Sequence, residues 1–275
     1  MFFNRCVDMK KLILLLFIPL ASFSQQNIKT KFLLPKHHHP ELLYERNYND
    51  EYSIFLREFP LKNNNVVKYH NGENKYNNNI WAAVFDYDIG TGDLHQCADA
   101  VIFMRAQYLY AKGLIDKLQY TFVSGFKAKY SDYLSHHYKV DGNKVSLVLR
   151  NKRLEETPET FKKWLREIWM YSNTWSIEKF DSYRVRLLDI KPGDFFIRSN
   201  PPPGVGHAVK VVDVVADPRG FKKVMLSQSY MPAQENHILI NPRDNGVWYE
   251  IGSSTKVIQT PEFTFYSNEL RRFIN

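Results

Sequence analysis

The sequence has very little cysteine, since its 275 residues include only Cys6 and Cys97. Cys6 lies ahead of an apolar run that is typical of a signal peptide, so we expect it to be lost when residues 1–24 are cleaved. The one remaining thiol cannot form an internal disulfide. In an oxidising compartment such a thiol is either buried and inert or kept for its reactivity.

Long apolar runs are also missing. The longest candidate, residues 12–20, is too short to span a bilayer. Basic residues precede it and small residues end near Ser24, which is the pattern of a signal peptide. The sequence therefore predicts a secreted or periplasmic protein with no stable membrane span after cleavage. An uncleaved membrane anchor is the alternative.

Blocks of like charge are absent as well. The formal net charge is +8, and loss of Arg5, Lys10, Lys11 and Asp8 with the signal peptide lowers it to +6. No zinc-finger spacing and no basic helix is present, which argues against nucleic-acid binding. A mildly cationic surface favours an anionic envelope or cell-wall polymer as partner.

Metal-ligand patterns are weak. His37, His38 and His39 are adjacent, but neighbours in an extended chain point in different directions. No carboxylate or cysteine follows at ligand spacing, and adding His70 or His95 does not supply one. We expect no metal site and no cofactor.

The remaining chain, residues 25–275, has no internal repeat and predicts a single domain. We expect a helix over residues 51–57, a buried strand over 80–85 and a hairpin over 138–150 that turns at Asp141-Gly142. Thr157-Pro158 opens a helix whose apolar stripe packs in the core. The last third is rich in β-strand patterns.

Cys97 is predicted to lie in the first turn of a helix. Asp93 has the chemistry of an N-cap, and Gln96 follows three residues later as in a capping box. Apolar residues recur from Cys97 at spacings of three and four, which places the thiol on the face toward the protein body. Two interpretations stay open. Cys97 is a small packing residue, or the helix N-terminus favours its thiolate and makes it a nucleophile.

His207 begins an apolar strand after a Gly-rich loop. A hairpin turn centred on Pro218-Arg219 pairs His207 with Tyr230, and it puts Gln228 diagonally adjacent on the same face. The Gln228 amide can then hold one ring nitrogen of His207 and leave the other free to accept a proton. A shift of one residue in register presents Ser227 or Ser229 instead.

The order of these motifs resembles that of the NlpC-type, papain-like cysteine peptidases of bacterial cell walls. The motifs are the Cys97 helix, the turn Lys191-Pro192-Gly193-Asp194, the strand Gly206-His207-Ala208-Val209 and the strand Met225-Leu226-Ser227-Gln228. The resemblance implies an α+β fold in which a Cys-bearing helix packs on an antiparallel sheet, with a helical insertion at about residues 120–181. It also implies that Cys97 is the nucleophile, His207 the base and Gln228 the orienting residue.

Two departures accompany this resemblance. The NlpC type usually has Asp-Cys-Ser at the nucleophile, where this chain has Gln96-Cys97-Ala98. Its third residue is commonly histidine. The whole chain after the predicted signal peptide also resembles an uncharacterised family of secreted bacterial proteins, through residues 96–100, 206–209 and 228–234, and that resemblance implies no activity.

The resemblance implies a secreted cysteine peptidase or amidase that cleaves a peptide amide in cell-wall peptidoglycan by acyl transfer. Gln96 would contribute to the oxyanion site, and Asp99 and Asp86 would contact substrate. Related folds also transfer acyl groups to acceptors other than water. The alternative is a non-catalytic envelope protein that retains the fold and binds glycan or a partner.

Overall fold

The computed structural model of the protein describes residues 25–37, 39, 41–76, 79–200 and 206–274. The predicted signal peptide, residues 1–24, lies outside the described residues, and so does His38 of the histidine run. Within the described ranges, no helix is both long enough and apolar enough to cross a membrane.

Helices are spread over the first two thirds of the chain. The α-helices are α1 (Ile28–Lys31), α2 (Glu51–Glu58), α3 (Cys97–Ala111), α4 (Tyr130–Ser135), α5 (Pro158–Tyr171) and α6 (Thr174–Ser176). Short 3-10 turns cover Ile115–Lys117, Leu187–Asp189 and Ser267–Glu269, and a π-helical turn covers Ile177–Asp181.

Strands dominate the last third, as the sequence predicts. The strands are β1 (Trp81–Val84), β2 (Gln119–Thr121), β3 (Lys127–Lys129), β4 (His136–Asp141), β5 (Lys144–Leu149), β6 (Ser182–Arg184), β7 (Phe195–Arg198), β8 (His207–Ala216), β9 (Lys222–Gln228), β10 (His237–Leu239), β11 (Tyr249–Ile251), β12 (Val257–Gln259), β13 (Thr264–Tyr266) and β14 (Leu270–Phe273).

One eight-stranded sheet organises the molecule. Its strand order is β1-β10-β9-β8-β7-β14-β6, with β11 on the free part of the β9 edge. Every pairing in this sheet is antiparallel. The chain therefore has an α+β fold with antiparallel sheets.

The hairpin of β8 and β9 has the register that the sequence predicts. Lys210 pairs with Ser227 and Val211 with Leu226. The turn is closed by the hydrogen bond from Asp217 N–H to Phe221 O at 2.9 Å. Gly220 adopts a φ of +86° in this turn, a conformation that glycine accepts without steric cost. A bulge between Val211 and Asp213 shifts the pairing nearer the turn, away from His207.

The central sheet is covered on both faces. The α3 side carries the larger core, which includes Ala208 and Val212 of β8 together with most of α3. The opposite side carries a second core that includes Val209 and Val211 and is closed by the β12–β13 hairpin. Because strand residues alternate between faces, β8 is apolar on both sides and is buried from His207 to Val215.

The insertion at residues 120–181 is only partly helical, so the prediction of a helical insertion is wrong in that respect. It contains parts of the β2–β3 hairpin, the whole β4–β5 hairpin, and the helices α4, α5 and α6. Helix α5 begins at Pro158 after the N-cap Thr157, as predicted. The apolar face of α5 packs into the same core as α3. The buried residues of this face are Phe161, Trp164, Leu165 and Ile168.

Candidate active site

Cys97 is the first residue of α3. The N-cap is Gln96, whose backbone N–H donates to the Asp99 carboxylate at 2.9 Å. The prediction of Asp93 as the N-cap is therefore wrong. Asp93 instead accepts hydrogen bonds from the backbone N–H of Ala233 and from the Gln96 side chain, which tie the loop before α3 to the segment after β9.

The start of α3 places backbone N–H groups around the thiol. The first intrahelical hydrogen bond runs from Ala100 N–H to Gln96 O, so the N–H groups of residues 97–99 have no partner within the helix. The sulfur of Cys97 accepts hydrogen bonds from the backbone N–H groups of Ala208 and Ala98. The contact with Ala208 places the thiol beside the first residues of β8.

Burial keeps the Cys97 thiol neutral. Cys97 is only 6% exposed, and this burial, reinforced by the Asp99 carboxylate, raises its pKa to about 12 despite the backbone donors. Of the two interpretations left open by the sequence, burial favours the packing residue over the thiolate, because desolvation opposes the effect of the helix N-terminus. Helix α3 is buried on almost every side. The insertion packs on the face of α3 that lies opposite the predicted apolar stripe.

His207 is hydrogen-bonded to Gln228. The Nε2 of His207 lies 2.8 Å from the Oε1 of Gln228, as the predicted register requires. Ser229 and Ser227, the two alternatives to Gln228 as partner of His207, have other surroundings. Ser229 donates its hydroxyl to the carbonyls of His95 and Gln234, and the Ser227 hydroxyl has no hydrogen-bond partner among the described residues.

Aromatic rings surround the His207 imidazole. The ring centroids of Tyr230, Phe263 and Phe265 lie 4.6, 5.2 and 5.9 Å from that of His207. Burial among these rings lowers the pKa of His207 to about 4, against the opposing effect of the Gln228 hydrogen bond. Tyr230 lies close enough to Cys97 for the sulfur to contribute to its raised pKa, although burial is the larger cause. Burial thus favours the neutral form of both the imidazole and the thiol.

Gln228 is held from its other side by Glu262. The amide nitrogen of Gln228 donates to a carboxylate oxygen of Glu262. Both oxygens of Glu262 in turn accept from Lys75 Nζ, at 2.9 and 3.0 Å. Sequence reasoning missed Glu262 and Lys75, because each lies in a loop far from the recognisable motifs and no spacing connects them to His207.

A cleft of about 320 Å³ opens above Cys97. One wall is the start of α3, residues 96–99, with Gly206 beside it. The opposite wall comes from the insertion and consists of Trp169 of α5 with the following residues 172–174. The insertion therefore forms one side of the cleft that Cys97 lines.

Gln96 and Asp99 both line this cleft. The Oδ2 of Asp99 accepts from Gln96 N–H, while its Oδ1 is buried and has no hydrogen-bond partner in the described ranges. Burial raises the pKa of Asp99 well above its usual value. The Gln96 amide is available at the cleft edge, although it also donates to Asp93 at 3.1 Å.

Asp86 does not share the cleft with Cys97. It lies at the edge of a separate aromatic groove of about 360 Å³ between α2, α3 and α5, where it accepts a hydrogen bond from Gln25 at 3.2 Å. Asp86 is therefore not part of the lining around Cys97, and its contact with substrate stays a prediction that this cleft does not support. Trp169 lines both cavities and separates them.

No group of three or more potential metal ligands occurs among the described residues. His37 instead lies 3.3 Å from the Asp217 carboxylate and packs against the ring of Tyr44. His95 and His237 are buried apart from each other, one under Trp169 and one against Trp81. The cleft is thus lined by Cys97 and the first residues of α3. The His207 imidazole, which Gln228 orients, is buried outside this lining, next to Gly206 in sequence.

Comparison with curated proteins and with solved structures gives no match. A family match does cover nearly all of the described chain, from residue 28 to residue 272. It spans the Cys97 helix, the insertion, the His207 strand and both loops that carry Lys75 and Glu262. The chain belongs to the family described as Domain of unknown function (4846).

Proposed function

We propose that the protein is a cysteine hydrolase that cleaves a peptide amide bond by acyl transfer through Cys97. The observation that carries this proposal is the hydrogen bond between His207 and Gln228 beside the start of α3, where the sulfur of Cys97 contacts the backbone of β8. A nucleophile, a base and a group that orients the base are the three parts that such chemistry requires. A papain-like core of the NlpC type is part of the same proposal.

The reaction would begin from neutral groups. The Cys97 sulfur attacks the carbonyl carbon of the amide while its proton passes to the unprotonated ring nitrogen of His207. The resulting tetrahedral adduct collapses as His207 returns this proton to the leaving nitrogen, which releases an amine and leaves a thioester on Cys97. Water then attacks the thioester, again with His207 as base, to release a carboxylic acid and restore the thiol.

The negative charge that develops on the carbonyl oxygen needs hydrogen-bond donors. The backbone N–H groups at the start of α3 lie in the lining of the cleft and would supply them. The side-chain amide of Gln96 lies at the same place and is a second donor. Asp99 lines the cleft and would contact a polar group of the substrate.

The proposed substrate is a peptide of the bacterial cell wall, and the proposed location is the periplasm or the cell surface. Both rest on the resemblance to NlpC-type enzymes and on the signal-like residues 1–24. The net charge of +6 after removal of residues 1–24 suits an anionic wall polymer. The cleft is polar at Asp99 and residues 172–174 and apolar at Trp169, which fits a peptide better than a lipid.

A second candidate is a binding protein of the envelope that has the same fold without the chemistry. The observation that favours it is the burial of Cys97, which keeps the thiol neutral. A protein of this kind would bind a wall peptide in the cleft and leave it intact. Cys97 would then be a packing residue.

Cleavage of defined wall peptides separates the two candidates. Purified protein would be incubated with muropeptides of known sequence, and the products identified by liquid chromatography with mass spectrometry. The hydrolase proposal requires cleavage that is lost in Cys97→Ala and in His207→Ala. Equal binding by the wild type and by Cys97→Ala, with no product from either, would instead establish the binding protein.

A further inference from the structure

The side chains of Lys75, Glu262, Gln228 and His207 form one continuous chain of hydrogen bonds. Lys75 contacts both oxygens of Glu262, Glu262 accepts from the Gln228 amide nitrogen, and the Gln228 oxygen lies 2.8 Å from His207 Nε2. We propose that Lys75 and Glu262 are positioning residues that select the ring tautomer of His207. The catalytic consequence of this inference rests on the proposed function.

The donors and acceptors of each side chain in this series determine which atom the next side chain must turn toward it. An ionised carboxylate can only accept hydrogen bonds, so Glu262 requires the NH₂ group of Gln228. The Gln228 oxygen must then face His207, and an oxygen at that position requires a hydrogen on His207 Nε2. The other ring nitrogen, Nδ1, is left with its lone pair. A proton from Cys97 can be accepted only there.

The chain is built from well-held side chains. Only 9% of the Lys75 side chain is exposed, and its Nζ lies 5.9 Å from the ring centroids of both Trp81 and Tyr230. Glu262 lies in a tight turn in which Thr260 and Phe263 exchange backbone and side-chain hydrogen bonds. Phe263 from this turn also packs against the His207 ring. The turn therefore positions the ring and the carboxylate together.

The pair of Lys75 and Glu262 can be compared with an ordinary ion pair on the central sheet. Lys223 and Glu250 lie 2.9 Å apart, but the Glu250 side chain is 70% exposed, and the pair lies at the far end of β9 from Gln228. An exposed pair of this kind contributes little to stability. Lys75 and Glu262 differ because the carboxylate is bonded to a buried amide that touches the candidate base.

Loss of the Glu262 charge should release the Gln228 amide. A glutamine at position 262 can donate as well as accept, so the Gln228 amide can turn its NH₂ group toward His207. Nε2 then accepts a hydrogen bond, and the ring hydrogen moves to Nδ1. In this tautomer His207 cannot accept the Cys97 proton, and a wrong tautomer of a catalytic histidine can lower kcat by up to about 10⁴-fold.

Nuclear magnetic resonance of protein labelled with ¹⁵N-histidine tests this directly, because the shifts of the two ring nitrogens show which one carries hydrogen. The His207 signals are identified by their loss in His207→Ala. At pH 7 we expect the full-length wild type to have hydrogen on Nε2 and none on Nδ1. Hydrogen on Nδ1 in the wild type would overturn the inference, and this test does not depend on any variant folding.

Glu262→Gln is the matched variant, and Glu250→Gln is its control at the surface pair. We expect Glu262→Gln to show hydrogen on Nδ1 in a substantial fraction of molecules and Glu250→Gln to show the wild-type pattern. An unchanged tautomer in folded Glu262→Gln would also overturn the inference. If the proposed function holds, kcat of Glu262→Gln falls about 10-fold or more with little change in KM.

The two proposals fail in different ways. The tautomer is read without substrate, so a tautomer that depends on Glu262 supports the positioning chain even if no peptide is cleaved. Cleavage that depends on Cys97 and His207, combined with a tautomer indifferent to Glu262, supports the hydrolase and removes Lys75 and Glu262 from its machinery.

Discussion

The Nε2 of His207 and the Oε1 of Gln228 lie 2.8 Å apart across adjacent strands of the central sheet. This contact joins the two residues that the hairpin register places on one face. It also orients the imidazole at the start of β8. The next residue of this strand, Ala208, contacts the Cys97 sulfur through its backbone N–H. Each step of the proposed chemistry depends on this orientation.

Gln228→Ala should therefore reduce catalysis without unfolding the protein. Removal of the amide leaves the His207 tautomer and ring orientation unspecified, and we expect kcat to fall about 10- to 100-fold, within the usual contribution of a positioned general base. Steady-state kinetics with a cleaved peptide would measure this. Gln107→Ala on α3, in the aromatic groove, is the control. Unchanged kcat in Gln228→Ala would show that the amide does not orient the base.

The thiol of Cys97 should react slowly with iodoacetamide at neutral pH. Burial raises its pKa to about 12, whereas a free cysteine has a pKa of about 8.5. We expect the alkylation rate, followed by mass spectrometry, to increase with pH through 9 and beyond without a plateau. A plateau reached below pH 8 would mean that the resting protein holds a thiolate, and that the neutral starting state is wrong.

Three buried histidines should make the protein sensitive to acid. Burial lowers the pKa of His95, His207 and His237 to about 4, 4 and 3, from an ordinary value of 6.5. Between pH 6.5 and 4 the unfolded chain binds protons that the folded protein does not, so stability falls as pH falls. Each histidine lowers the free energy of unfolding by up to about 1.4 kcal/mol per pH unit in this window.

Urea unfolding at pH 7 and pH 4.5 would measure this loss. His95→Gln removes one of the three groups and should make the decrease smaller, whereas His137→Gln, at an exposed position of β4, should leave it unchanged. Equal decreases in the wild type and His95→Gln would contradict the assignment of His95 as a neutral buried group.

Gly206 has no room for a side chain. A Cβ at this position would lie 2.5 Å from Thr174 Oγ1 and 2.8 Å from the backbone oxygen of Arg198. Gly206→Ala should displace the start of β8 from the insertion wall, at a cost of about 1–3 kcal/mol in stability. Because His207 is the next residue, we also expect kcat/KM to fall at least about 10-fold.

Gly252→Ala is the matched control for this substitution, because its Cβ would meet nothing within 4 Å. Thermal unfolding and peptide cleavage would be compared for both variants. Equal behaviour of the two would show that the backbone at Gly206 can move without disturbing His207.

Lys210 is a basic residue that is buried in the core. Its Nζ donates to Val101 O at 3.2 Å, it is fully buried between β8 and α3, and burial lowers its pKa to about 7. Lys210→Met should raise the free energy of unfolding at pH 7 by about 1–4 kcal/mol. The difference should narrow from pH 7 to pH 10, because the unfolded chain keeps the proton that the folded protein has lost, and removing this proton costs less as the pH approaches the ordinary lysine value of 10.5.

Denaturant unfolding of Lys210→Met beside Lys144→Met, an exposed residue of β5, would test this. A destabilised Lys210→Met would show that the hydrogen bond to Val101 outweighs the cost of burying the amine.

Local sequence patterns predict much of the β8–β9 region and little of what surrounds it. The register follows from a short turn and alternating apolar residues, so Gln228 can be found from the sequence. The N-cap cannot be assigned as easily, because Asp93 and Gln96 both have suitable side chains and the choice depends on the contact between Asp93 and Ala233. Asp86 has a plausible chemistry, but only the fold shows that it lies in the other groove.

The electrostatic state of the site depends on burial that the sequence does not reveal. A helix N-terminus predicts a thiolate, yet the insertion covers α3 and makes desolvation the larger effect. Lys75 contacts Glu262 across a separation of 187 residues, and Glu262 contacts Gln228. A contact of this kind leaves no periodicity or spacing, and so it cannot be predicted from one sequence.

The most direct test of the central proposal is to trap the acyl intermediate on Cys97. The protein would be mixed with a wall peptide, quenched with acid within seconds, and its intact mass measured, followed by peptide mapping. We expect a mass increase equal to the acyl portion of the peptide, located on Cys97 and missing from Cys97→Ala. No adduct at any time, in a protein that binds the same peptide and leaves it intact, would contradict the hydrolase and establish the protein as a binding module.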